Sequence, residues 1–285
     1  MRFTSNFKDF ELLDATCGEK LERWGNIYLI RPEPQAIWDF KRDEKLWDKA
    51  HAVYHRSSSG GGYWQKIKKV PDVWTVEFSG LKFNLKPMGF KHTGLFPEQA
   101  VNWEFMRSYI KRPIKVLNLF AYTGGATVAC LSAGASVTHV DASRGMTLWA
   151  KENAAISDLK DAPVRWLVDD CIKFMKRELR RGNRYDAVIM DPPSYGRGPG
   201  GEVFKIEDQL AELLSLAGQL LSDSAEFFLL NTYSAGLSHT ILNYMVEEYV
   251  VKQRGGQLST DEIGLKVTHR NIILPCGNTT IWKRD

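Results

Sequence analysis

From residue 115 to residue 283, short apolar segments alternate with segments of helical periodicity, and this alternation limits the possible folds more than any other feature. Short apolar runs are typical of buried strands, whereas apolar residues repeated every three or four positions are typical of amphipathic helices. Repeated strand–helix units imply a mainly parallel sheet with helices on both faces, the α/β class. Strands are predicted at 115–120, 136–141, 164–169, 185–191 and 225–233, with a final strand pair at 257–267 and 270–283.

Helices are predicted between these strands. Ser143 is a suitable N-cap for the helix that runs to Asn153, because its hydroxyl can accept a hydrogen bond from the first turn. In sheets of this kind, ligands bind outside the carboxyl ends of the strands, so the residues that directly follow each strand are the candidate functional residues. The other helices are predicted from the turn after 120 to Leu131, up to Arg181 after the third strand, and at 204–221 and 237–251.

The first strand leads into the sequence VLNLFAYTGGAT at residues 116–127. Gly124 and Gly125 permit a close approach to the backbone just before a helix N-terminus. A dinucleotide turn that binds a pyrophosphate has three spaced glycines, and only these two adjacent glycines occur here. The turn therefore favours a smaller ligand without a phosphate, although adjacent glycines are also common in turns that bind nothing.

Carboxylates follow the second and third strands. Asp141 ends the second strand, where an acidic residue can accept hydrogen bonds from both hydroxyls of a ribose. Asp169 or Asp170, after the third strand, can accept one from the exocyclic amine of adenine. Each aspartate is equally explained as a helix cap. Together with the first turn and Asp191 at the end of the fourth strand, they give four strand ends with suitable groups in order, which favours an adenosine-containing cofactor. The missing third glycine favours S-adenosylmethionine (SAM).

These segments, together with VDD at 168–170 and MDPPSY at 190–195, resemble the class I SAM-dependent methyltransferases. Within that family they are most similar to the bacterial large-subunit rRNA base methyltransferases of the cytosine-C5 and guanine-N7 types. KHTGLFPEQ at 91–99 resembles the segment that leads into the catalytic domain. The resemblance implies a Rossmann-like sheet of seven strands with the last strand antiparallel, SAM as the cofactor, and RNA as the substrate.

The resemblance also implies roles for individual residues. The turn from Tyr122 to Gly125 is expected to border the methionine part of the cofactor and Asp141 to hold the ribose. Asp170 or Asp169 is expected to contact the adenine, and Gln99 the amino-acid end. The full set of expected cofactor-binding residues is Gln99, Phe120, Ala121, Tyr122, Thr123, Gly124, Gly125, Asp141, Ala142, Ser143, Asp169, Asp170 and Asp191.

The fourth strand ends in Asp191, which two prolines and then Ser194 follow. In family members that methylate an amine of a base, an Asp-Pro-Pro-aromatic motif supplies hydrogen-bond acceptors for the nitrogen and a ring that stacks on the flipped-out base. Prolines fix φ and lack an N–H donor, so they form a rigid shelf of acceptors, although a simple strand-ending turn also explains them. Here the aromatic residue stands one position later, as in the rRNA methyltransferases. The expected catalytic residues are Asp191, Pro192, Pro193 and Tyr195.

The sequence departs from the cytosine-C5 pattern in three ways. Those enzymes need a nucleophilic cysteine after the fifth strand, but segment 231–238 reads NTYSAGLS, and Thr232 and Ser234 are poor substitutes for a thiolate. Ala100 stands where the family has an arginine. Residues 1–90 are too few to hold both the additional RNA-binding domain and a small β domain. The sequence therefore predicts methyl transfer without a cysteine nucleophile, and it leaves the acceptor atom open.

The chain is expected to divide into two domains: a small β-rich substrate-recognition domain at 1–90 and the methyltransferase domain at 91–285. Alternating segments at 10–15, 26–32, 73–78 and 81–88 predict short strands in the first domain. Residues 1–112 contain 19 lysines and arginines against 14 aspartates and glutamates, a net charge of +5, whereas 113–285 carry a net charge of −1. An excess of positive charge in the first third of the chain can attract a polyanion such as nucleic acid.

Two groups of basic residues are candidates for contact with RNA. The first lies after SSSGGG at 57–62, which predicts a flexible loop, and near Trp64 and Trp74; basic residues interleaved with aromatics suit single-stranded nucleic acid. The second has helical spacing and is equally explained as a solvated helix face. The first group is Lys66, Lys68 and Lys69; the second is Lys173, Lys176, Arg177, Arg180 and Arg181.

The remaining features are those of an ordinary soluble globular protein. No apolar run is long enough for a membrane span and no signal core is evident, so a cytoplasmic location is expected. The four cysteines are scattered without metal-ligand spacing, so no metal is expected. Other functions compatible with the pattern are methylation of a protein or small molecule, a non-catalytic binding module that keeps the fold, and a nicotinamide dehydrogenase, which the glycine pattern disfavours. A monomer and a homodimer both remain open.

Overall fold

The computed structural model divides into two compact units. The first comprises Met1–Val101 with Gly264–Cys276, and the second comprises Asn102–Ile263 with Gly277–Asp285. The domain boundary after residue 90 stays a prediction, and the first unit also takes up a segment close to the C-terminus. The structure describes residues 1–57, 61–197, 203–234, 236–252 and 254–285, without the side chain of Arg197.

Parts of three features predicted from the sequence lie outside the described residues. Residues 58–60 belong to the loop predicted to be flexible, and residues 198–202 belong to the glycine-containing stretch after Tyr195. Residue 235 belongs to the segment without a cysteine.

The first unit is rich in β-structure, as the alternating segments of the sequence predict. Five of its strands are neighbours in the order β1-β2-β3-β4-β5, and β6 and β7 form a separate antiparallel hairpin. Its elements are β1 (Phe10–Thr16), β2 (Glu19–Trp24), β3 (Ile27–Pro32), α1 (Glu44–Trp47), β4 (Ala52–Arg56), β5 (Gly62–Lys66), β6 (Trp74–Phe78) and β7 (Leu81–Leu85).

Buried charges inside this unit explain why β2 was not predicted from the sequence. Glu22 is fully buried and accepts hydrogen bonds from the Arg31 guanidinium at 2.7 and 2.9 Å, and Lys20 lies 3.2 Å from the same carboxylate. Burial opposes the ionisation of Glu22, but the charges of Arg31 and Lys20 outweigh it and lower its pKa. The alternating charges in β2 therefore look like those of a solvated segment although they form an internal ion network.

The second unit contains the predicted alternation of strands and helices. It begins within α2 and ends with the terminal strand pair, whose two strands also pass through the first unit. Its strands are β8 (Lys115–Leu119), β9 (Ser136–Asp141), β10 (Val164–Val168), β11 (Ala187–Met190), β12 (Tyr195–Arg197), β13 (Val203–Lys205), β14 (Phe227–Thr232), β15 (Gln257–Val267) and β16 (Ile272–Lys283). Its helices are α2 (Ala100–Tyr109), α3 (Gly125–Ser132), α4 (Arg144–Ile156), α5 (Cys171–Arg180), α6 (Ile206–Leu220) and α7 (His239–Val246).

The main sheet of this unit confirms the predicted architecture. Its strand order is β10-β9-β8-β11-β14-β16-β15, and β8, β9, β10, β11 and β14 are parallel where they pair. The last strand, β16, pairs with β14 in the antiparallel direction. A sheet of seven strands with an antiparallel last strand is therefore present.

Local signals explain why these elements form where they do. The residues of β11 and β14 are fully buried because helices cover both faces of a parallel sheet. Ser143 caps α4 by accepting a hydrogen bond from Met146 N at 3.4 Å, which confirms the predicted N-cap. Asp170 caps α5 in the same way, accepting from Lys173 N at 2.8 Å.

Some elements differ from the sequence-based prediction. Helix α2, strands β4 and β5, and the short antiparallel pair β12–β13 were not predicted. The predicted helix at 237–251 ends at Val246 and continues as a π-helical turn over Glu247–Val251. No helix among the described residues combines the length and the apolar character that crossing a membrane requires.

Candidate active site

The register of the parallel strands brings four residues from four strand ends into one row. The residues that directly precede them pair with one another across β9, β8, β11 and β14. Their side chains and backbone groups therefore meet at the carboxyl edge of the sheet, where the sequence predicts a ligand. The row consists of Asp141, Phe120, Asp191 and Asn231.

The turn after β8 has an unusual backbone. Phe120, Tyr122 and Gly124 all adopt the left-handed region, with φ of 55°, 49° and 83°. Two non-glycine residues in this region cost free energy, so the surroundings must hold the turn in place. One such contact comes from α4, where buried Asn153 donates a hydrogen bond from Nδ2 to the carbonyl oxygen of Thr123 at 2.9 Å. Helix α4, which follows β9, therefore stabilises the turn.

Packing requires glycine at both positions that the sequence singles out. A Cβ on Gly124 would lie 2.8 Å from Cβ of Ala150 in α4, and φ at this residue already favours glycine. A Cβ on Gly125 would lie 2.6 Å from the indole ring of Trp103 in α2. The two glycines therefore let the turn and the start of α3 approach α4 and α2 closely.

Asp141 is a half-buried carboxylate at the β9 end of the row. Its Oδ2 accepts from Tyr122 N at 2.8 Å and its Oδ1 accepts from Ser143 N at 2.8 Å. Burial raises the pKa of Asp141, although the two backbone donors counteract that effect. No cation pairs with this carboxylate in the part of the chain that the structure describes. A carboxylate has about four acceptor positions, so each oxygen retains capacity for one hydroxyl donor.

Asp191 follows β11 and is held by the strand on its other side. Asn231 of β14 donates from Nδ2 to Oδ1 of Asp191 at 3.1 Å, and Asp191 N donates to the carbonyl of Leu119 at 3.4 Å. Pro192 is buried and Pro193 is exposed. The Asp-Pro-Pro segment is therefore stiff where it leaves the sheet, and these hydrogen bonds fix the side chain and the backbone of Asp191.

A short hairpin follows the two prolines. Its strands β12 and β13 pair antiparallel, and Ile206 N, at the start of α6, donates to the carbonyl of Ser194 at 3.2 Å. Tyr195 at the base of the hairpin is 55% exposed. The ring of Phe204 contacts that of Phe120 with 5.6 Å between centroids. The hairpin that follows Asp191 therefore contacts the turn that follows β8.

Comparison with known proteins identifies the family. A family model described as S-adenosylmethionine-dependent methyltransferase matches residues 51–231, more than half of the chain. The chain belongs to this family. A solved SAM-dependent methyltransferase from Agrobacterium tumefaciens is 35% identical and superposes with a TM-score of 0.93, covering 99% of this chain and 92% of that one. The cofactor of this methyltransferase is therefore SAM, as the strand-end residues predict.

Two further comparisons bear on the substrate and on the fold. The chain is 33% identical over 176 residues to the ribosomal RNA large subunit methyltransferase K/L of Shewanella sp. strain MR-4; the match covers 60% of this chain and 24% of that protein. The chain thus spans about a quarter of the length of the curated relatives that it matches. A SAM-dependent methyltransferase from Streptococcus mutans, 20% identical with a TM-score of 0.77 over 98% of this chain and 76% of that one, shares the fold.

The residues present fit the cofactor. A ribose offers two neighbouring hydroxyl donors, and Asp141 has acceptor capacity on both oxygens. Asp169 and Asp170 are already engaged: Asp169 forms an ion pair with Arg177, and Asp170 caps α5. Ala142 and Ser143 are exposed beside Asp141, whereas Ala121 is buried.

Among the described residues, the cysteine that contacts the row is unreactive. Sγ of Cys171 accepts a hydrogen bond from Phe120 N at 3.4 Å. Burial raises the pKa of the Cys171 thiol strongly, so the group stays protonated and unreactive. At the end of β14, the hydroxyls of Thr232 and Ser234 are buried and have no hydrogen-bond partner among the residues described.

Two further sequence-based candidates are Gln99 and the basic group on α5. Gln99 belongs to the first unit, where it is buried at the end of a 3-10 turn over Pro97–Gln99. In the basic group on α5, Lys176 pairs with Glu212 at 2.6 Å and Arg181 with Glu178 at 2.8 Å. Ion pairing with acidic neighbours favours the solvated-face interpretation of that helix. Asn231 was missed, although it follows directly on an apolar run as the other row residues do.

Proposed function

We propose that this methyltransferase transfers the methyl group of SAM to a nitrogen of an RNA base, most specifically of ribosomal RNA, in the cytoplasm and without a cysteine nucleophile. The observation that carries the proposal is the row itself. A hydroxyl-accepting carboxylate, Asp141, and an Asp-Pro-Pro shelf stand at the same edge of the sheet, on the two strands that flank β8. The similarity to ribosomal RNA large subunit methyltransferases supports RNA as the substrate.

In this proposal the cofactor lies along the row. SAM supplies an activated methyl group on a sulfonium, so the protein has only to orient the acceptor. Asp141 accepts from the ribose hydroxyls, and the turn from Tyr122 to Gly125 borders the methionine part. Asp169, which directly follows β10 and pairs with a surface arginine, is the better candidate for the adenine amine because Asp170 caps a helix. Gln99 is retained as a candidate for the amino-acid end.

The acceptor side of the proposal rests on the chemistry of Asp-Pro-Pro. A base nitrogen carries a nucleophilic lone pair, and hydrogen bonds from its N–H to the Asp191 carboxylate and the Pro192 carbonyl would orient that lone pair toward the methyl group. Covalent activation of a pyrimidine carbon needs a thiolate, and the described residues hold none at this edge. A nitrogen acceptor is therefore favoured. The exposed ring of Tyr195 is available to stack on a flipped base.

The first unit offers a surface suited to RNA at the edge strand β5. Tyr63 is 63% exposed there, and its ring contacts that of His55 on β4 with 5.2 Å between centroids. Lys66 and Lys69 are exposed in and just after the same strand. Exposed aromatic rings next to lysines suit stacked bases and the phosphates between them. Lysines also protect edge strands from aggregation, but that role does not account for an exposed tyrosine.

The proposal is tested by mass spectrometry of digested ribosomal and transfer RNA from cells that lack the gene. We expect one N-methylated nucleoside to disappear from one RNA and to return when the wild-type gene is restored. The matched control is complementation with Asp191→Asn, which should express the protein but not restore the nucleoside. An unchanged set of methylated nucleosides would contradict the proposal, and loss of 5-methylcytidine would contradict the non-covalent mechanism.

A further inference from the structure

A chain of three hydrogen bonds leads from helix α2 through two strands to the catalytic motif. Asn102 donates from Nδ2 to Oγ1 of Thr279 at 3.0 Å, and Thr279 Oγ1 donates to Oδ1 of Asn231 at 2.7 Å. Asn231 in turn donates to Asp191, as described above. We infer that this relay, Asn102–Thr279–Asn231, fixes the orientation of the Asp191 carboxylate for methyl transfer. The inference rests on the proposed function.

The sheet register places three members of the relay in line. Asn231 of β14 pairs directly with Thr279 of the antiparallel strand β16. Asp191 directly follows Met190 of β11, and Met190 pairs with Leu230, the residue before Asn231. Asp191, Asn231 and Thr279 thus occupy neighbouring positions across three adjacent strands. The relay therefore continues the row that contains Asp141 and Phe120.

The direction of each hydrogen bond in the relay is determined by its partners. A threonine hydroxyl has one proton, and because Asn102 donates to Oγ1, that proton is used on the Asn231 carbonyl. The carbonyl end of the Asn231 amide is thereby tied to Thr279, and the NH2 end must face Asp191. If the amide turned over, its carbonyl oxygen would face the carboxylate and repel it. The hydroxyl of Thr279 thus selects the one amide orientation that supports Asp191.

Burial makes the relay rigid. Asn102, Thr279 and Asn231 are each no more than 1% exposed, so water does not compete for their hydrogen bonds. Leaving a buried polar group without a partner is costly, which favours the fully bonded arrangement over any alternative. A carboxylate held in this way keeps a fixed direction, and catalytic groups need such support from the residues behind them.

Helix α2 also supports the cofactor side of the row. Trp103, next to Asn102, is the residue whose indole ring packs against Gly125 at the start of α3. Adjacent residues of one helix therefore contact the turn that follows β8 and the relay that ends at Asp191. We expect Asn102, Thr279 and Asn231 to act as positioning residues, since none of them needs to touch the substrate.

The relay is tested by Thr279→Val, which keeps the shape of the side chain but removes the hydroxyl. The matched control is Thr280→Val on the same strand. Thr280 is also fully buried, and its hydroxyl bonds to that of Thr260 at 3.1 Å. Thr280→Val loses one buried hydrogen bond and Thr279→Val loses two, but only Thr279 is linked to Asp191. The assay follows transfer of a labelled methyl group from SAM to total RNA isolated from cells that lack the gene, below the Tm of each variant.

We expect Thr279→Val to lower kcat about tenfold or more while the Kd for SAM stays within about twofold of wild type. Thr279→Ser restores the hydroxyl and should recover activity to within about threefold of wild type. Equal kcat values for Thr279→Val and Thr280→Val would overturn the inference. If Thr279→Val does not fold, Asn102→Leu tests the outer end of the relay by the same criteria. Absence of transfer by the wild-type protein would instead contradict the proposed function.

Discussion

At the residue scale, Asp141 combines burial with the lack of a cationic partner within the described part of the chain. Two backbone N–H groups already bond to it, and burial raises its pKa. A carboxylate in this state gains stability from further hydrogen-bond donors, and the SAM ribose offers two. The chemistry of this one side chain therefore suits the ribose of SAM at the end of β9.

The first prediction concerns the charge of Asp141. Asp141→Asn replaces the carboxylate with an amide. The NH2 group of this amide would face the backbone N–H of Tyr122 or of Ser143 and could not accept a hydrogen bond from it. Hydrogen bonds to a charged group contribute about 1.5–3 kcal/mol each, so the Kd for SAM should rise about ten- to hundredfold. Calorimetry on both proteins measures this change. Because the pKa of Asp141 is raised, its carboxylate becomes protonated as the pH is lowered toward that pKa, and the affinity of the wild type for SAM should then fall.

Asp186 provides the matched control for this measurement. It also accepts a backbone hydrogen bond, from Lys115 N at 2.9 Å, together with one from the Ser222 hydroxyl at 2.8 Å. It lies just before β11, at the opposite end of that strand from Asp191. Asp186→Asn should lower stability but leave the Kd for SAM unchanged. An equal loss of affinity in both variants would contradict the assignment of Asp141.

The second prediction concerns the buried His139 of β9. Burial and, to a lesser extent, the charge of Lys151 lower its pKa to about 3, so the folded protein holds the ring neutral. An unfolded histidine titrates near 6.5. The folded state thus binds fewer protons, and its stability is complete above about pH 6.5 and falls as the pH drops toward 3.

His139→Phe keeps a ring that can pack on Trp166, which His139 contacts at 4.8 Å between centroids, and removes the titration. Between pH 7 and pH 5 the wild type should lose about 2 kcal/mol more unfolding free energy than the variant does. Urea denaturation at the two pH values measures both losses. Equal losses would show that the histidine is charged in the folded protein.

At the scale of elements, the site depends on the close approach of α2, α3 and α4 under the turn after β8. Gly125 lies in the first turn of α3, where the backbone itself tolerates any residue, so only its contact with Trp103 excludes a larger side chain. Because these contacts are so close, a displacement of α2 or α4 would also displace the turn after β8.

The third prediction follows from this contact. Gly125→Ala should cost about 1–3 kcal/mol of unfolding free energy because its Cβ would lie 2.6 Å from the Trp103 ring. Combining it with Trp103→Leu should remove most of that cost, so the two substitutions should be non-additive in urea denaturation. The control is Gly145→Ala in the first turn of α4, where the nearest atom lies 3.8 Å away and no loss is expected. Additive effects of Gly125→Ala and Trp103→Leu would contradict the packing argument.

The same elements show what the sequence could predict. Strands β8, β9 and β11 and the cap at Ser143 have local signals, namely apolar runs and a residue type that bonds its own first turn. Helix α2 was missed because buried Asn102 breaks its apolar pattern. Its polar residue makes sense only once Thr279, far along the chain, is known to lie against it.

The residues of the candidate site likewise divide into those that the sequence could predict and those that it could not. Asp141 and Asp191 could be predicted because each directly follows an apolar strand. The relay could not be, since its order depends on the register of β14 and β16, which no local pattern specifies. The reason for glycine at 125 was likewise hidden, because the partner ring belongs to an unpredicted helix.

At the scale of the whole molecule, the distribution of charge bears on the substrate. The N-terminal 112 residues carry the positive excess, and the edge strand β5 has an exposed tyrosine with exposed lysines at its end and just after it. If the substrate is RNA, as proposed, we expect the first unit to bind RNA through its phosphates. Binding by phosphate contacts depends steeply on salt concentration.

The fourth prediction tests this contact by charge reversal. Lys66→Glu combined with Lys69→Glu should weaken binding to a single-stranded RNA and reduce the slope of log K against log salt by about two. Fluorescence anisotropy over a salt series measures both quantities. The control reverses two exposed lysines of the second unit, Lys151 and Lys160, with the same change in net charge. Equal effects of the two pairs would show that only the overall charge matters.

The most direct test of the account is methyl transfer by the purified protein. RNA from cells that lack the gene is incubated with SAM carrying a labelled methyl group, digested to nucleosides and separated. The account predicts that the label enters one base of ribosomal RNA at a nitrogen, and that Asp191→Asn incorporates about tenfold less or lower still. The account would be contradicted if the protein bound SAM but labelled no RNA, or if the label were found on a pyrimidine carbon.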